Sequence, residues 1–152
     1  MLALQAEVKK PKAEVLTMKQ KPEIRALPKR VFLKDGLPPL KQACEFLLSM
    51  EEQAPPFLRF DCVNLDLSYV LIDPFVILPE YAPEFSDADC AEIDLKSSDK
   101  PIVLAIVNFS RGVEQASANL VGPLLIHPVS GKAKQTILMN SNLYSSRFDL
   151  IR

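Results

Sequence analysis

The chain contains 152 residues, of which 48% are hydrophobic and 24% are charged, a composition typical of one soluble globular domain. No stretch approaches the roughly 18 apolar residues that a membrane span requires, and an odd number of cysteines, three, argues against the disulfide framework of a small secreted protein. We therefore expect a cytoplasmic protein without membrane contact, whose cysteines are small buried or half-buried residues.

The net charge of −1 conceals an uneven distribution of charge along the chain. Residues 1–34 contain nine lysines and arginines against three glutamates, whereas the rest of the chain has an acidic excess. Residues 1–20 are rich in lysine and lack a sustained apolar face, so we predict a flexible basic N-terminal lead at 1–20 and a β domain at 21–152. Solvation of this lead and contact with RNA are both compatible with its lysines, and solvation is the favoured interpretation.

The first predicted elements lie between residues 30 and 50. A strand is predicted at Arg30–Leu33, ended by the turn residues Asp35 and Gly36. Pro38 and Pro39 suit the first turn of a helix. Apolar residues at helical spacing follow, although residues 46–48 equally fit a strand: Leu40, Ala43, Cys44 and Leu47. We predict a short helix that leads into a strand.

Three segments in the middle of the chain carry strand patterns. Residues 57–62 alternate with a period of two, and residues 69–72 form a compact apolar run that ends at Asp73 and Pro74. Because proline is poorly tolerated inside a central strand, we predict a second, short strand at 75–78 after a turn.

The following segments predict one helix and three strands. Ser86 is a suitable N-cap for a helix at 86–93, and aspartates in its first turn favour the positive end of the helix dipole. Residues 101–109 carry the strongest strand pattern and predict a central strand. Two more strands are predicted at 121–126 and 135–139, joined by a polar turn. The expected fold is mostly β, a small single-domain β-barrel-like fold with one or two short helices.

Enzyme motifs are scarce in this sequence. Its four glycines do not form a phosphate-binding loop, and its one histidine, His127, cannot build a histidine-rich metal site. His127 ends an apolar strand and is interpreted as structural. We therefore expect a protein that is not an enzyme and that uses no cofactor or metal.

A window with a single sign of charge is the most informative feature of the chain. Between Phe60 and Leu95 there is no lysine or arginine, and nine residues are acidic: Asp61, Asp66, Asp73, Glu80, Glu84, Asp87, Asp89, Glu92 and Asp94. One interpretation is an ordinary solvated surface. The other is a docking face for a cationic partner, because an acidic surface attracts basic proteins and repels nucleic acid. In that interpretation Phe75, Tyr81 and Phe85, which are interleaved with the acids, would be exposed and would supply apolar anchors.

Segments of this chain resemble, in consistent order from residue 21 to 152, the flagellar assembly factor FliW family. The motifs that carry the resemblance are Asp35-Gly-Leu-Pro38, Tyr69-Val-Leu-Ile-Asp-Pro-Phe75, Leu78-Pro-Glu-Tyr81, Ser86-Asp-Ala-Asp89, Val103-Leu-Ala-Ile-Val107, Ala118-Asn-Leu120, Pro123-Leu-Leu-Ile126 and Gly131-Lys-Ala-Lys-Gln135. The chain departs from the family pattern at Pro39-Leu40-Lys41 and at His127, and it has no tryptophan.

The resemblance implies a small β-barrel-like protein with two protein partners. FliW proteins bind flagellin in the cytoplasm as a chaperone, and they bind the translational regulator CsrA, which relieves repression of flagellin translation. Catalysis, a cofactor and direct contact with nucleic acid are not implied. The alternative is a non-catalytic β adaptor module that binds another basic protein through its acidic face.

Eight residues of the window and of the matched motifs are the candidates for partner contact: Asp73, Phe75, Tyr81, Glu84, Asp87, Asp89, Glu92 and Asn119. Asp73 precedes a proline and is favoured as a turn former. Asn119, like Asn140, is favoured as a residue that caps or turns the backbone. For Phe75 and Tyr81, a place in the core and a place in the interface are equally supported.

Overall fold

Within residues 27–151, which the computed structural model describes, the chain forms nine β-strands, two short α-helices and two single 3-10 turns. The elements in chain order are β1 (Arg30–Leu33), β2 (Glu45–Met50), β3 (Leu58–Cys62), β4 (Ser68–Ile72), α1 (Pro74–Ile77), α2 (Asp87–Glu92), β5 (Ile102–Asn108), a 3-10 turn (Val113–Gln115), β6 (Ser117–Ala118), β7 (Leu124–Ile126), β8 (Lys132–Gln135), a 3-10 turn (Ser141–Leu143) and β9 (Phe148–Asp149). The predicted basic lead at 1–20 lies outside the described residues.

Seven strands close into a barrel in the order β4-β3-β2-β1-β8-β7-β5, because β5 pairs back with β4. All neighbours are antiparallel except β1 and β8, which run parallel. The short strands β6 and β9 extend the sheet from β5 beyond the barrel. The prediction of a mostly-β, barrel-like fold with one or two short helices is therefore confirmed.

The barrel interior is filled by alternate residues of its strands, as the period of two requires. Val31 and Leu33 of β1 are buried while their neighbours face outward, and β3 shows the same alternation. Phe46 and Phe60 stack at its centre with ring centroids 4.1 Å apart. Burial of each such side chain contributes roughly 1.5–3 kcal/mol, so this pattern fixes both the register and the inward face of the strands.

A second core lies on the outer side of the barrel wall. The outward residues of β4, β5 and β7, such as Ile72, Ala105 and Leu125, are buried there. They are covered by the segment 73–95, which we call the covering segment, and by residues 116–120 and 138–150. Because both of its faces are buried, β5 is the central strand that its apolar sequence predicts.

The predicted helix before β2 is wrong. Residues 37–43 close a tight loop instead, in which the Leu37 amide donates to the Ala43 carbonyl at 3.0 Å and both side chains are buried. Gly36 enters this loop at φ +78°, where an added Cβ would collide with the Lys41 backbone. Of the apolar residues at helical spacing, Leu40 and Ala43 lie in this loop and pack on the barrel core, whereas Leu47 lies in β2 and is exposed.

Two strand predictions also need correction. Residues 75–78 lie mostly in α1 because Asp73 caps it: its carboxylate accepts a 2.9 Å hydrogen bond from the Phe75 amide, and Pro74 suits the first helical position. The last strand, predicted at 135–139, lies earlier in the chain, at Lys132–Gln135, where it forms β8. The reason is Gly131, whose φ of +80° makes the turn directly before Lys132.

The single histidine and the cysteines occupy structural positions. The His127 Nδ1 atom accepts hydrogen bonds from the amides of Val129 and Ser130, which closes the turn before β8. Its Nε2 atom lies 3.6 Å from a carboxylate oxygen of Asp99. Cys62 and Cys90 are buried and Cys44 is half-buried, all as free thiols, as the sequence predicts.

Candidate partner-binding surface

The covering segment begins with the capped turn of α1. The carboxylate of Asp73 accepts the hydrogen bond that starts this helix, so its interpretation as a turn former is confirmed. The half-buried ring of Phe75 packs against the ring of Tyr81 with centroids 5.5 Å apart. Asp73 and Phe75 therefore contribute to the internal structure of the covering segment.

Tyr81 is fully buried in the outer core, with a relative exposure of 0%. Its hydroxyl donates a 2.7 Å hydrogen bond to the Leu120 carbonyl, and its ring meets Tyr144 edge-on at 4.7 Å. Burial, together with Tyr144, raises the pKa of the Tyr81 phenol far above its ordinary range. Phe85 is also buried. The interpretation of Tyr81 and Phe85 as exposed anchors is wrong, because distant parts of the chain cover them. For Tyr81 the structure shows the alternative, a place in the core.

Residues 82–84 are clamped by side chains from the C-terminal part of the chain. The Asn140 Oδ1 atom accepts a hydrogen bond from the Glu84 amide at 3.0 Å, and its Nδ2 atom donates one to the Ala82 carbonyl at 2.9 Å. The Tyr144 hydroxyl accepts the Ala82 amide, and the Met139 amide donates to the Glu84 carbonyl at 2.8 Å. These contacts fix the backbone of Glu84 while leaving its carboxylate exposed.

The two asparagines that the sequence predicts to cap or turn the backbone differ in how far away their partners lie. Asn119 turns the local backbone, because its Oδ1 accepts the amides of Val121 and Gly122. Asn140 does not cap the 3-10 turn that follows it; it serves residues 82–84. Nothing near residue 140 signals this role, since its partners lie 56 and 58 positions earlier.

The helix α2 carries three of the candidate acids. Ser86 caps it by accepting the Asp89 amide at 3.0 Å, and Asp87 and Asp89 lie in its first turn, as predicted. On its inner side Cys90 reaches the outer core. Burial raises the pKa of the Cys90 thiol, and Asp87 and Asp89 add to the effect.

Basic residues of β8 neutralise much of this acidic surface. Lys134 lies between Asp89, at 3.1 Å, and Glu92, with which it forms a close hydrogen bond. The hydrogen bond to Glu92 is the main reason why the pKa of Lys134 is raised. Lys132 pairs likewise with Asp94 and lowers the pKa of that carboxyl. The expectation of a single-sign surface is therefore wrong at α2.

The other three exposed acidic side chains of the covering segment have no such partner among residues 27–151. Glu80, Glu84 and Asp87 are exposed, and no ion pair joins their carboxylates to a lysine, arginine or histidine within residues 27–151. We call these three residues the open carboxylates. They are the part of the covering segment's acidic surface that remains available to attract a basic partner.

No group of three or more histidine, cysteine, aspartate or glutamate side chains within residues 27–151 is arranged to hold a metal ion. None of the helices in this range combines the length and apolar character that crossing a bilayer needs.

Comparison with known proteins points to one family. The family model described as "FliW protein" matches residues 12–150. The flagellar assembly factor FliW of Natranaerobius thermophilus is 33% identical over 117 residues, which cover 76% of this chain and 77% of that protein. The homologue of the same name from Moorella thermoacetica is 29% identical over 119 residues, 77% of this chain and 75% of its own length.

A solved structure has the same fold. A crystal structure of the flagellar assembly factor FliW superposes with a TM-score of 0.73 at 26% sequence identity. The superposition covers 82% of this chain and 86% of the other. The fold of this chain is thus shared with a solved flagellar assembly factor FliW.

Proposed function

This chain belongs to the FliW family of flagellar assembly factors, and we propose that it binds two proteins in the cytoplasm. One is flagellin, which it holds as a chaperone. The other is CsrA, whose repression of flagellin translation it relieves. The observation that carries the proposal is the family match over residues 12–150. In this role the protein works by binding alone and is not an enzyme.

The open carboxylates support the CsrA part of the proposal. A protein that binds RNA exposes cationic surface for the phosphates. Glu80, Glu84 and Asp87 present uncompensated negative charge that steers such a surface toward this chain. Once the complex has formed, the same negative charge disfavours RNA phosphates nearby. Repression is relieved in this way without direct contact between this chain and nucleic acid.

The ion pairs favour the open carboxylates as the contacting acids. Asp89 and Glu92 already hold Lys134, so charge reversal there would disturb α2 as well as any interface. Reversal of the open carboxylates changes the charge of the surface without breaking an ion pair to a described residue. The variant Glu80→Lys/Glu84→Lys/Asp87→Lys is therefore the sharper probe.

The experiment mixes the purified chain with CsrA and with flagellin, and follows complexes by size exclusion and release of a CsrA-bound flagellin transcript. The reversed variant is expected to associate with CsrA about tenfold more slowly and with a flatter salt dependence. The matched control, Glu52→Lys/Asp66→Lys/Glu114→Lys, makes the same change in net charge at exposed positions elsewhere. Equal effects of both variants would contradict the steering role. Complexes with neither partner would favour the adaptor module that binds a different basic protein.

A further inference from the structure

Three apolar side chains stand out from the surface beside the clamped segment. Ile137 and Met139 are each 67% exposed and Leu143 is 66% exposed. Ile137 and Met139 alternate with the buried residues Thr136 and Leu138 along an extended stretch of chain. The alternation places both side chains on the outer side. We call Ile137, Met139 and Leu143 the anchor strip.

The backbone beneath the anchor strip is held in place. The Thr136 and Leu138 amides donate to the carbonyls of Pro123 and Val121, each at 3.0 Å. The Met139 amide donates to Glu84, and the Leu143 amide to Asn140. A strip fixed in this way loses little backbone freedom on binding, which favours its use as a contact surface.

The anchor strip lies next to the open carboxylates. Met139 and Glu84 are neighbours through their 2.8 Å backbone hydrogen bond. Asp87 follows Glu84 by three residues, so their Cα atoms are at most about 11 Å apart. Lys134, the half-buried cation of β8, is already engaged by α2. Exposed apolar side chains with acidic neighbours match the usual anatomy of an interface, an apolar centre with a charged rim.

We infer that the anchor strip and Glu84 form the docking surface for the basic, RNA-binding partner. Apolar side chains of that partner pack on Ile137, Met139 and Leu143, while its lysines or arginines meet Glu84 and Asp87. This rests on the proposed function and adds to it where the partner gains its binding energy. The open carboxylates supply attraction, and the anchor strip supplies the buried apolar area that holds the complex together.

The test compares two triple variants by titration calorimetry with CsrA and with flagellin. In Ile137→Ser/Met139→Ser/Leu143→Ser the anchor strip is removed. In the control Val63→Ser/Val113→Ser/Val129→Ser, three other exposed apolar side chains are removed, which are 48%, 69% and 84% exposed. We expect the anchor-strip variant to bind CsrA at least about tenfold more weakly, and the control variant and flagellin binding to be unchanged.

Other outcomes overturn the inference. Unchanged CsrA affinity in the anchor-strip variant overturns it and leaves the proposed function standing, as does a loss of flagellin binding alone. A change from dimer to monomer in that variant would assign the strip to a second copy of the chain. Absence of binding by the unsubstituted chain overturns the proposed function and this inference together. The single variant Met139→Lys, which adds a repelling charge, repeats the test should the triple variant not fold.

Discussion

The hydroxyl of Tyr81 donates a 2.7 Å hydrogen bond to the carbonyl oxygen of Leu120, 39 residues further along the chain. Both residues are fully buried in the outer core. The bond joins the covering segment to the chain between β6 and β7. Tyr81, which lies among acidic residues in the sequence, therefore attaches the covering segment to the rest of the fold instead of facing solvent.

Replacement of Tyr81 by phenylalanine is expected to destabilise the protein by about 1–3 kcal/mol, because the Leu120 carbonyl loses its donor in a buried site. Urea unfolding measures the change. Tyr69→Phe is the control, since the Tyr69 hydroxyl has no hydrogen-bond partner within residues 27–151. Equal stability of the two variants would show that the buried bond contributes nothing.

Removal of the cation between Asp89 and Glu92 is expected to speed association with CsrA. Lys134→Gln leaves both carboxylates uncompensated, so the surface gains negative charge, and the association rate at low salt should rise roughly two- to fivefold. The variant should also lose up to about 1 kcal/mol of stability. Stopped-flow kinetics gives the rate. Lys41→Gln, at an exposed position elsewhere, carries the same charge change and should leave it unaltered.

The ion pairs of β8 make the attachment of the covering segment dependent on pH. Lys132 lowers the pKa of Asp94 below its ordinary value of 3.8, so this pair stabilises the fold above pH 3.8 and is lost as pH falls through the lowered pKa. The pKa of Lys134 is raised above 10.5, so its contribution is complete below pH 10.5 and is lost as pH rises through the raised pKa. Both ion pairs therefore contribute fully to stability between pH 3.8 and pH 10.5.

Urea unfolding across the pH range separates the two pairs. The variant Lys132→Gln should show a smaller loss of stability than the unsubstituted chain on acidification below pH 3.8, and Lys134→Gln a smaller loss above pH 10.5. Identical pH profiles for all three proteins would mean that these ion pairs do not hold the covering segment.

Local patterns were sufficient where the partner of a residue is close in sequence. The period of two in β1, β3 and β4 sets which side chains enter the barrel, and Ser86 predicts the start of α2 because its partner, the Asp89 amide, is three residues away. Local patterns gave a wrong prediction at residues 37–43, where the apolar residues have helical spacing but the chain forms a closed loop. The strand predicted at 75–78 was also wrong, because capping by Asp73 outweighs the strand preference of the residues that follow and α1 forms there.

The sequence by itself determined the mostly-β fold, the cap of α2, the structural roles of Asp73 and Asn119, and the family. Only the tertiary structure decided that Tyr81 and Phe85 are buried, that Asn140 clamps residues 82–84, that Lys134 neutralises acids of α2, and that Lys132 pairs with Asp94. The physical reason is strand order. The closed barrel brings β8 beside α2, 38 and 42 residues from Asp94 and Glu92, and no local pattern of hydrophobicity or charge specifies which distant strand will lie next to an acidic helix.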